Sequence, residues 1–228
     1  MPRVRLSLAA ALVGMTALAA CSSDGGESTS ATGASGGDKA ASSAAPKPIT
    51  KNLPQGAITQ ALLGEGETLP GYSPHDGKSV TEEGEYCNST EEDSVPKGWA
   101  LGSNADYEYN GSTLNMASVD ICLFDTAEDA HNAYMSWKGT ETSKEQPTKP
   151  SVGEESTLVI NPGASEDSVY GYSRSGKANI RVKIDGNTGG DPSGAQAMLA
   201  ATLKRLQQVQ EGKPATVTAT DEQNTAGQ

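Results

Sequence analysis

The residues able to do chemistry are few, so they can be weighed one set at a time. Cys87 and Cys122 have no companion histidines or cysteines at a zinc spacing. They read as a structural disulfide, and the competing reading is a pair of reactive thiols. Residues 185–191 run Asp-Gly-Asn-Thr-Gly-Gly-Asp and imitate the start of a calcium loop, but the fifth position is Gly189 and the twelfth is Gln196, where a bidentate Glu is needed. A strand-to-helix connection capped by Asp191 accounts for them better. His75 and His131 are the only histidines, and no serine or carboxylate at a telling spacing accompanies either. Residues 171–176 place Ser173 between glycines without the G-x-S-x-G spacing of a nucleophile elbow. Carboxylates crowd residues 82–93, where Glu82, Glu83, Glu85, Glu91, Glu92 and Asp93 read as a solvated loop or, in the enzymatic alternative, as the acids of a cell-wall hydrolase. Phosphate-loop and dinucleotide fingerprints are missing. No catalytic residue, metal ligand set or cofactor site is therefore expected. Tyr107, Tyr109, Tyr134, Trp137, Tyr170 and Tyr172 remain, either as the walls of a ligand groove or as the core of an aromatic-poor domain.

The remaining cysteine, Cys21, sits at the end of an apolar run that follows Arg3 and Arg5. A positive start and about 15 apolar residues make a secretory signal, too short for a bilayer span. Leu18-Ala19-Ala20-Cys21 looks like a bacterial lipobox. Resemblance to bacterial lipoproteins implies that the Cys21 thiol receives diacylglycerol and that cleavage falls just before it. Ordinary signal cleavage at Ala17-Leu18-Ala19 is the competing reading. Lipid attachment places the chain on the outer face of the cell membrane, in an oxidising compartment where Cys87 and Cys122 pair.

Charge narrows the partners. The formal net charge of −12 falls by two more, to −14, when Arg3 and Arg5 leave with the signal. So acidic a chain is a poor nucleic-acid ligand and is repelled by anionic headgroups, which leaves the acyl chains as the membrane attachment.

The elements that position these residues follow from periodicity. Residues 1–20 form the signal, and residues 21–48 form a lipidated cysteine and a Ser/Gly/Ala tether without large apolar side chains, expected to be disordered. Residues 49–211 form the folded domain, and residues 212–228 a polar, disordered tail. Within the domain, Ile58, Ala61 and Leu62 have helical spacing, and residues 73–98 read as loop. Alternation around Tyr107 and Tyr109 and the Asn110-Gly111 turn predict a hairpin, with a bulge where the apolar phase changes near Ala117-Ser118. A helix capped at Asp125 or Thr126 carries Ala130, Tyr134 and Trp137. Strands follow over 156–160, 168–174 and 180–184, and a last helix begins at Pro192. The fold class is α+β: a mainly antiparallel sheet with flanking helices in a single domain.

Together the lipobox, the tether, Leu69-Pro70-Gly71-Tyr72 and Val152-Gly153-Glu154-Glu155-Ser156 resemble small actinobacterial lipoproteins. The span from about 49 to 209 resembles the extracellular sensor domains of mycobacterial Ser/Thr kinases. That resemblance implies a non-enzymatic, monomeric binding module for an envelope ligand or protein partner. An accessory subunit docking on another membrane protein is a further alternative. Only one bridge is possible here and no kinase segment is present, so kinase signalling does not carry over.

Overall fold

The computed structural model describes residues 47–81, 84, 87, 95–139, 143–163, 167–186 and 192–226. Cys21, the signal, nearly all of the tether and the carboxylates of residues 82–93 lie outside the described residues. So do residues 187–191 of the calcium-like stretch.

The described residues form one α+β domain. In chain order it contains α1 (Gln55–Ala61), β1 (Tyr72–Pro74), β2 (Ser79–Thr81), β3 (Trp99–Tyr109), β4 (Ser112–Phe124), α2 (Ala127–Gly139) and β5 (Glu145–Pro147). Then come β6 (Glu155–Asn161), β7 (Ser168–Ser175), β8 (Ala178–Ile184), α3 (Ser193–Gln210) and α4 (Ala219–Ala226). The eight strands make one sheet in the order β1-β3-β4-β8-β7-β6-β5, with β2 also paired to β3, and every strand pair is antiparallel.

Period-two alternation assigns the two faces. On β8, Ala178, Ile180, Val182 and Ile184 join Val119, Ile121 and Leu123 of β4 in the larger core, beneath α1 and α3. Asn179, Arg181 and Lys183 take the opposite face, where α2 packs and Cys122, Phe124, Tyr134, Trp137 and Tyr172 form a second core. The sheet is thus covered by helices on both faces. Asn179 ties α2 down by donating its side-chain amide to the Ala130 carbonyl at 2.8 Å.

Asn110 and Gly111 both take positive φ, 51° and 73°, as a tight hairpin turn requires. The irregularity in this hairpin is not at Ala117-Ser118. Register is unbroken from Ala117 to Leu123; one shift falls at the far end, between Trp99 and Leu101, and the other between Glu108–Met116 and Tyr109–Ser112, beside the turn. The apparent change of phase came from Leu114, which is apolar but 83% exposed and belongs to neither core.

The disulfide joins Cys87 to Cys122 across 35 residues. Gly102 lies directly beneath it: a Cβ there would meet Thr81 at 2.7 Å and the Cys87 sulfur at 3.2 Å.

Residues 212–228 are not a disordered tail as far as they are described. Thr218 caps α4, its hydroxyl accepting from the Asp221 amide at 3.1 Å and donating to the Asp221 carboxylate at 2.7 Å. Thr126 and Asp129 make the same box at the start of α2. The segment is seated by Ala219, which is buried and donates its amide to the Glu67 carbonyl, and by Arg205, which donates to the Val217 carbonyl. A polar composition concealed it, because the contacts that hold it are to backbone groups.

Arg205 itself is buried in α3, 2% exposed. Its guanidinium donates to the carbonyls of Gln60, Ala61 and Leu62 at the end of α1 and pairs with Glu67 at 2.8 Å. A short helix whose last carbonyls would otherwise be orphaned is thereby capped from 144 residues away. The start of the domain is closed by a similar device. Gln210 accepts from the amides of Thr50 and Lys51 and donates to the Pro48 carbonyl, while Ile49 makes a parallel bridge to Gly176.

Candidate functional site

A polar cleft of about 480 Å³ opens between the outer face of α2 and the β5–β6 edge of the sheet. Helical spacing brings His131, Tyr134, Met135 and Lys138 to that face of α2. The opposite wall is Glu145, Gln146 and Pro147 of β5, and the floor is Ser151 with Glu154, Glu155, Ser156 and Thr157. β5 falls in a stretch that reads as plain connection, because three polar residues carry no periodic signal.

Two ion-pair groups flank the cleft. Lys138 donates to both carboxylate oxygens of Glu145, at 2.9 and 3.1 Å. Arg174, reaching across from β7, grips Glu155 through Nε and Glu154 through Nη1, the latter at 3.0 Å. His131 adds a 2.9 Å contact to the same Glu155 oxygen. Burial alone would raise the Glu155 carboxyl, but the hydrogen bonds from His131 and Arg174 outweigh it and hold the group below the ordinary carboxylate range. Glu154 also accepts from the Gly176 amide at 2.6 Å. The floor is pinned by Ser156, whose hydroxyl meets Thr148 at 2.6 Å and accepts from the Val152 amide.

Tyr134 stands between these groups. It is 4% exposed, yet it lines the cleft. Burial, then the charges of Glu155 and Glu145, push its hydroxyl far above the ordinary phenol range, and no hydrogen bond counteracts them. Among the described residues its oxygen has no hydrogen-bonding partner. The Arg174 charge opposes that shift in part, and the ring of Tyr134 forms part of the cleft wall.

The six aromatic residues do not gather into one groove. Tyr107 is fully buried in the larger core and donates to the Leu63 carbonyl at 3.1 Å. Tyr109 lies at the hairpin end against Tyr72, ring centroids 5.2 Å apart. Trp137, Tyr172 and Tyr170 are brought together on the α2 face, with centroid spacings of 6.2 Å for each neighbouring pair. Arg181 lies over Trp137 and pairs with Asp120 at 2.9 Å, so this cluster is core closed by a cation and not the wall of a groove. Of the six, Tyr134 alone lines the cleft.

The other chemistry-bearing residues are dispersed. His75 pairs with Glu108 at 3.1 Å on the hairpin side of the sheet. Asp185 is taken by Lys183 and Ser168 at 2.8 Å each. Among the described residues no three of His, Cys, Asp and Glu gather closely enough to hold a metal ion, and no helix is long and apolar enough to cross a membrane. The cleft's charged residues, Lys138, Glu145, Glu154, Glu155 and Arg174, were missed as a set. Glu154 and Glu155 are adjacent in sequence, but nothing in the spacing says that β7 and α2 supply their partners.

No family model and no curated protein match this chain. Among solved structures, the chain is similar to the extracellular domain of PknH from Mycobacterium tuberculosis, at 11% identity and a TM-score of 0.46, over 74% of this chain and 100% of that one.

Proposed function

We propose that this protein is a lipoprotein of the cell envelope, anchored through Cys21 on the outer face of the membrane, and that it works as a non-enzymatic binding module. The cleft between α2 and β5–β6 is its ligand site. The observation that carries this reading is the preformed polar cleft itself, lined by Tyr134, Lys138, Glu145, Glu154 and Glu155. The Cys87–Cys122 disulfide suits an oxidising compartment.

The sheet edges favour a small ligand over strand addition. β5 is three residues long, polar and ends in Pro147, and β1 and β2 are equally short. Such edges are poor templates for another chain and fit a monomer.

Two measurements test the proposal. A fatty-acid label is expected on the wild-type protein and absent after Cys21→Ala; label retained by the variant refutes the anchor. Soluble peptidoglycan fragments, titrated into the isotope-labelled protein, are expected to shift amide signals around Tyr134, Glu145 and Ser156. Turnover of the fragments would overturn the non-enzymatic reading.

A further inference from the structure

We propose that the end of the domain closed by Gln210 and Ile49 rests on the anionic headgroups of the membrane that holds Cys21, through Lys47, Lys51, Lys177 and Lys213. This rests on the lipid anchor at Cys21, and it adds which face of the domain meets the bilayer.

The chain as a whole carries a formal charge of −12, yet four lysines gather at this end. Lys51 Nζ donates to the Gln210 carbonyl at 2.7 Å, and the Lys177 amide donates to the Ile49 carbonyl at 2.8 Å. Lys177 Nζ donates to the Asn52 side chain at 2.8 Å. Lys47 and Lys213 stand on either oxygen of Glu211, at 3.4 and 2.6 Å, with side chains 78% and 64% exposed. Glu211 is thus one carboxylate shared by two ammonium groups. Asp125, next to the Phe124 amide that donates to the Lys177 carbonyl, is a second acid nearby. The lysines outnumber these acids, so this end is positive on a chain whose balance is negative.

The opposite end of the sheet has the reverse sign. Leu123 pairs with Ala178, beside Lys177, whereas Tyr109 and Ser112 pair at the Asn110-Gly111 turn. At about 3.4 Å per residue, β4 sets that turn roughly 30 Å from the lysines. Asp76, Glu108 and Asp185 collect toward the turn, with His75 and Lys183 as their partners. The Debye length at physiological ionic strength is about 8 Å. A headgroup layer touching the lysines therefore attracts them and is screened from the acids of the turn. Net charge governs approach from solution, but the near face governs a domain already held at the surface.

Chain connection places the lysines there. Lys47 is where the chain from Cys21 enters the described domain, 26 residues on. Gln210 and the Ile49 bridge fix that entry point. A Ser/Gly/Ala segment of this length spans about 30 Å on average, which sets an effective concentration on the order of millimolar at the surface. Weak attraction then suffices, and each lysine at an anionic surface is worth about fivefold in the docked-to-undocked ratio.

The test uses the lipidated protein, isotope-labelled, purified from membranes and placed in lipid nanodiscs with spin-labelled headgroups. Discs of phosphatidylcholine are compared with discs rich in phosphatidylglycerol. Broadening of the amides around Thr50, Lys177 and Gly212 is expected on the anionic discs, and its loss on neutral discs and at high salt. Lys47→Gln combined with Lys213→Gln is expected to lower the docked-to-undocked ratio about twenty-five-fold, and Glu211→Gln to raise it about fivefold. All three side chains are exposed, and the unperturbed part of each spectrum reports that the variants are folded. Broadening that is equal on both discs, centred on the turn, or unmoved by the variants overturns the proposal while the anchor stands. If soluble poly(glycerol phosphate) shifts these amides and the anionic discs do not, the surface belongs to a wall polymer and the proposal fails. A wild-type protein that takes no fatty-acid label removes the anchor, and this proposal with it.

Discussion

Replacing Arg205 with methionine keeps most of the aliphatic volume in α3 and removes the guanidinium. In the native domain that group reaches Ala61 O at 3.0 Å, Gln60 O and Leu62 O at 3.2 Å each, Val217 O at 3.0 Å and the Glu67 carboxylate at 2.8 Å. Leu62 O is not orphaned by the change, because Lys78 donates to it at 2.7 Å. Glu67 is part-exposed and can turn to water. The loss therefore concentrates on the carbonyls of Gln60, Ala61 and Val217. An unsatisfied buried polar group costs about 1–3 kcal/mol, and breaking a buried charged network about 3–5 kcal/mol. Since the bonds to Gln60 and Val217 are only part-buried, the low end of the first range applies, and about 3–5 kcal/mol is expected for Arg205→Met. Arg205→Lys keeps the charge but has a compact ammonium in place of the planar fork, so a loss of about 2 kcal/mol is expected. Urea unfolding followed by the fluorescence of Trp99 and Trp137, both at the second core on the far side of the sheet, reports the global value. Cleavage by thermolysin before Val217 reports whether the C-terminal segment lifts first. A methionine variant within about 1 kcal/mol of wild type would refute the view that this side chain joins α1, α3 and the C-terminal segment.

Reducing the Cys87–Cys122 bond, which spans 35 residues, is expected to lower stability by about 3–4 kcal/mol, measured as the shift in urea midpoint with and without reductant. Gly176→Ala places a methyl group on the Ile49 carbonyl at a φ of +58°, and a loss of about 2–3 kcal/mol is expected in thermal melts; an unchanged melting temperature counts against the Ile49 bridge. The Glu155 carboxyl is depressed in the folded state despite its burial, so its contribution is present above the ordinary carboxylate range and is lost as pH falls through the folded value. Removing one of the two groups that depress it, by His131→Gln, is therefore expected to move acid unfolding to higher pH, and superimposable acid curves for the two proteins would contradict the pairing.

The long periodic elements were legible. β3, β4 and β8 alternate, α3 carries an apolar stripe, and Asn110-Gly111 admits little but a tight turn, so local chemistry and global fold agree there. β5 and α4 were not, for a common reason: each is short and polar and is held by groups distant in sequence. Thr218-x-x-Asp221 repeats the box that begins α2 at Thr126, and it was the one local sign of α4. Arg205 also left a trace, since it falls on the same stripe as Met198, Thr202 and Val209, where a charged residue needs a buried partner. The aromatic residues misled because spacing gives parity within a strand but not which face of the sheet that parity means. Tyr107 and Tyr172 point to opposite cores. Tyr134 lines the cleft, but its acidic surroundings come from β5 and β6, which no spacing on α2 reveals.

The clasp between Gln210 and residues 48–51 has a consequence for the order of events in folding. The first strand-like residue of the domain, Ile49, is seated between the β7–β8 turn and the last residue of α3. Neither exists until more than 120 residues later in the chain, a separation of 160 residues in the case of the Thr50 amide. α1 waits in the same way for its cap from Arg205. A chain made from its N-terminus cannot close this domain until nearly all of it has emerged, so the earliest residues stay unclosed longest and the loop entropy of closing them falls due at the end.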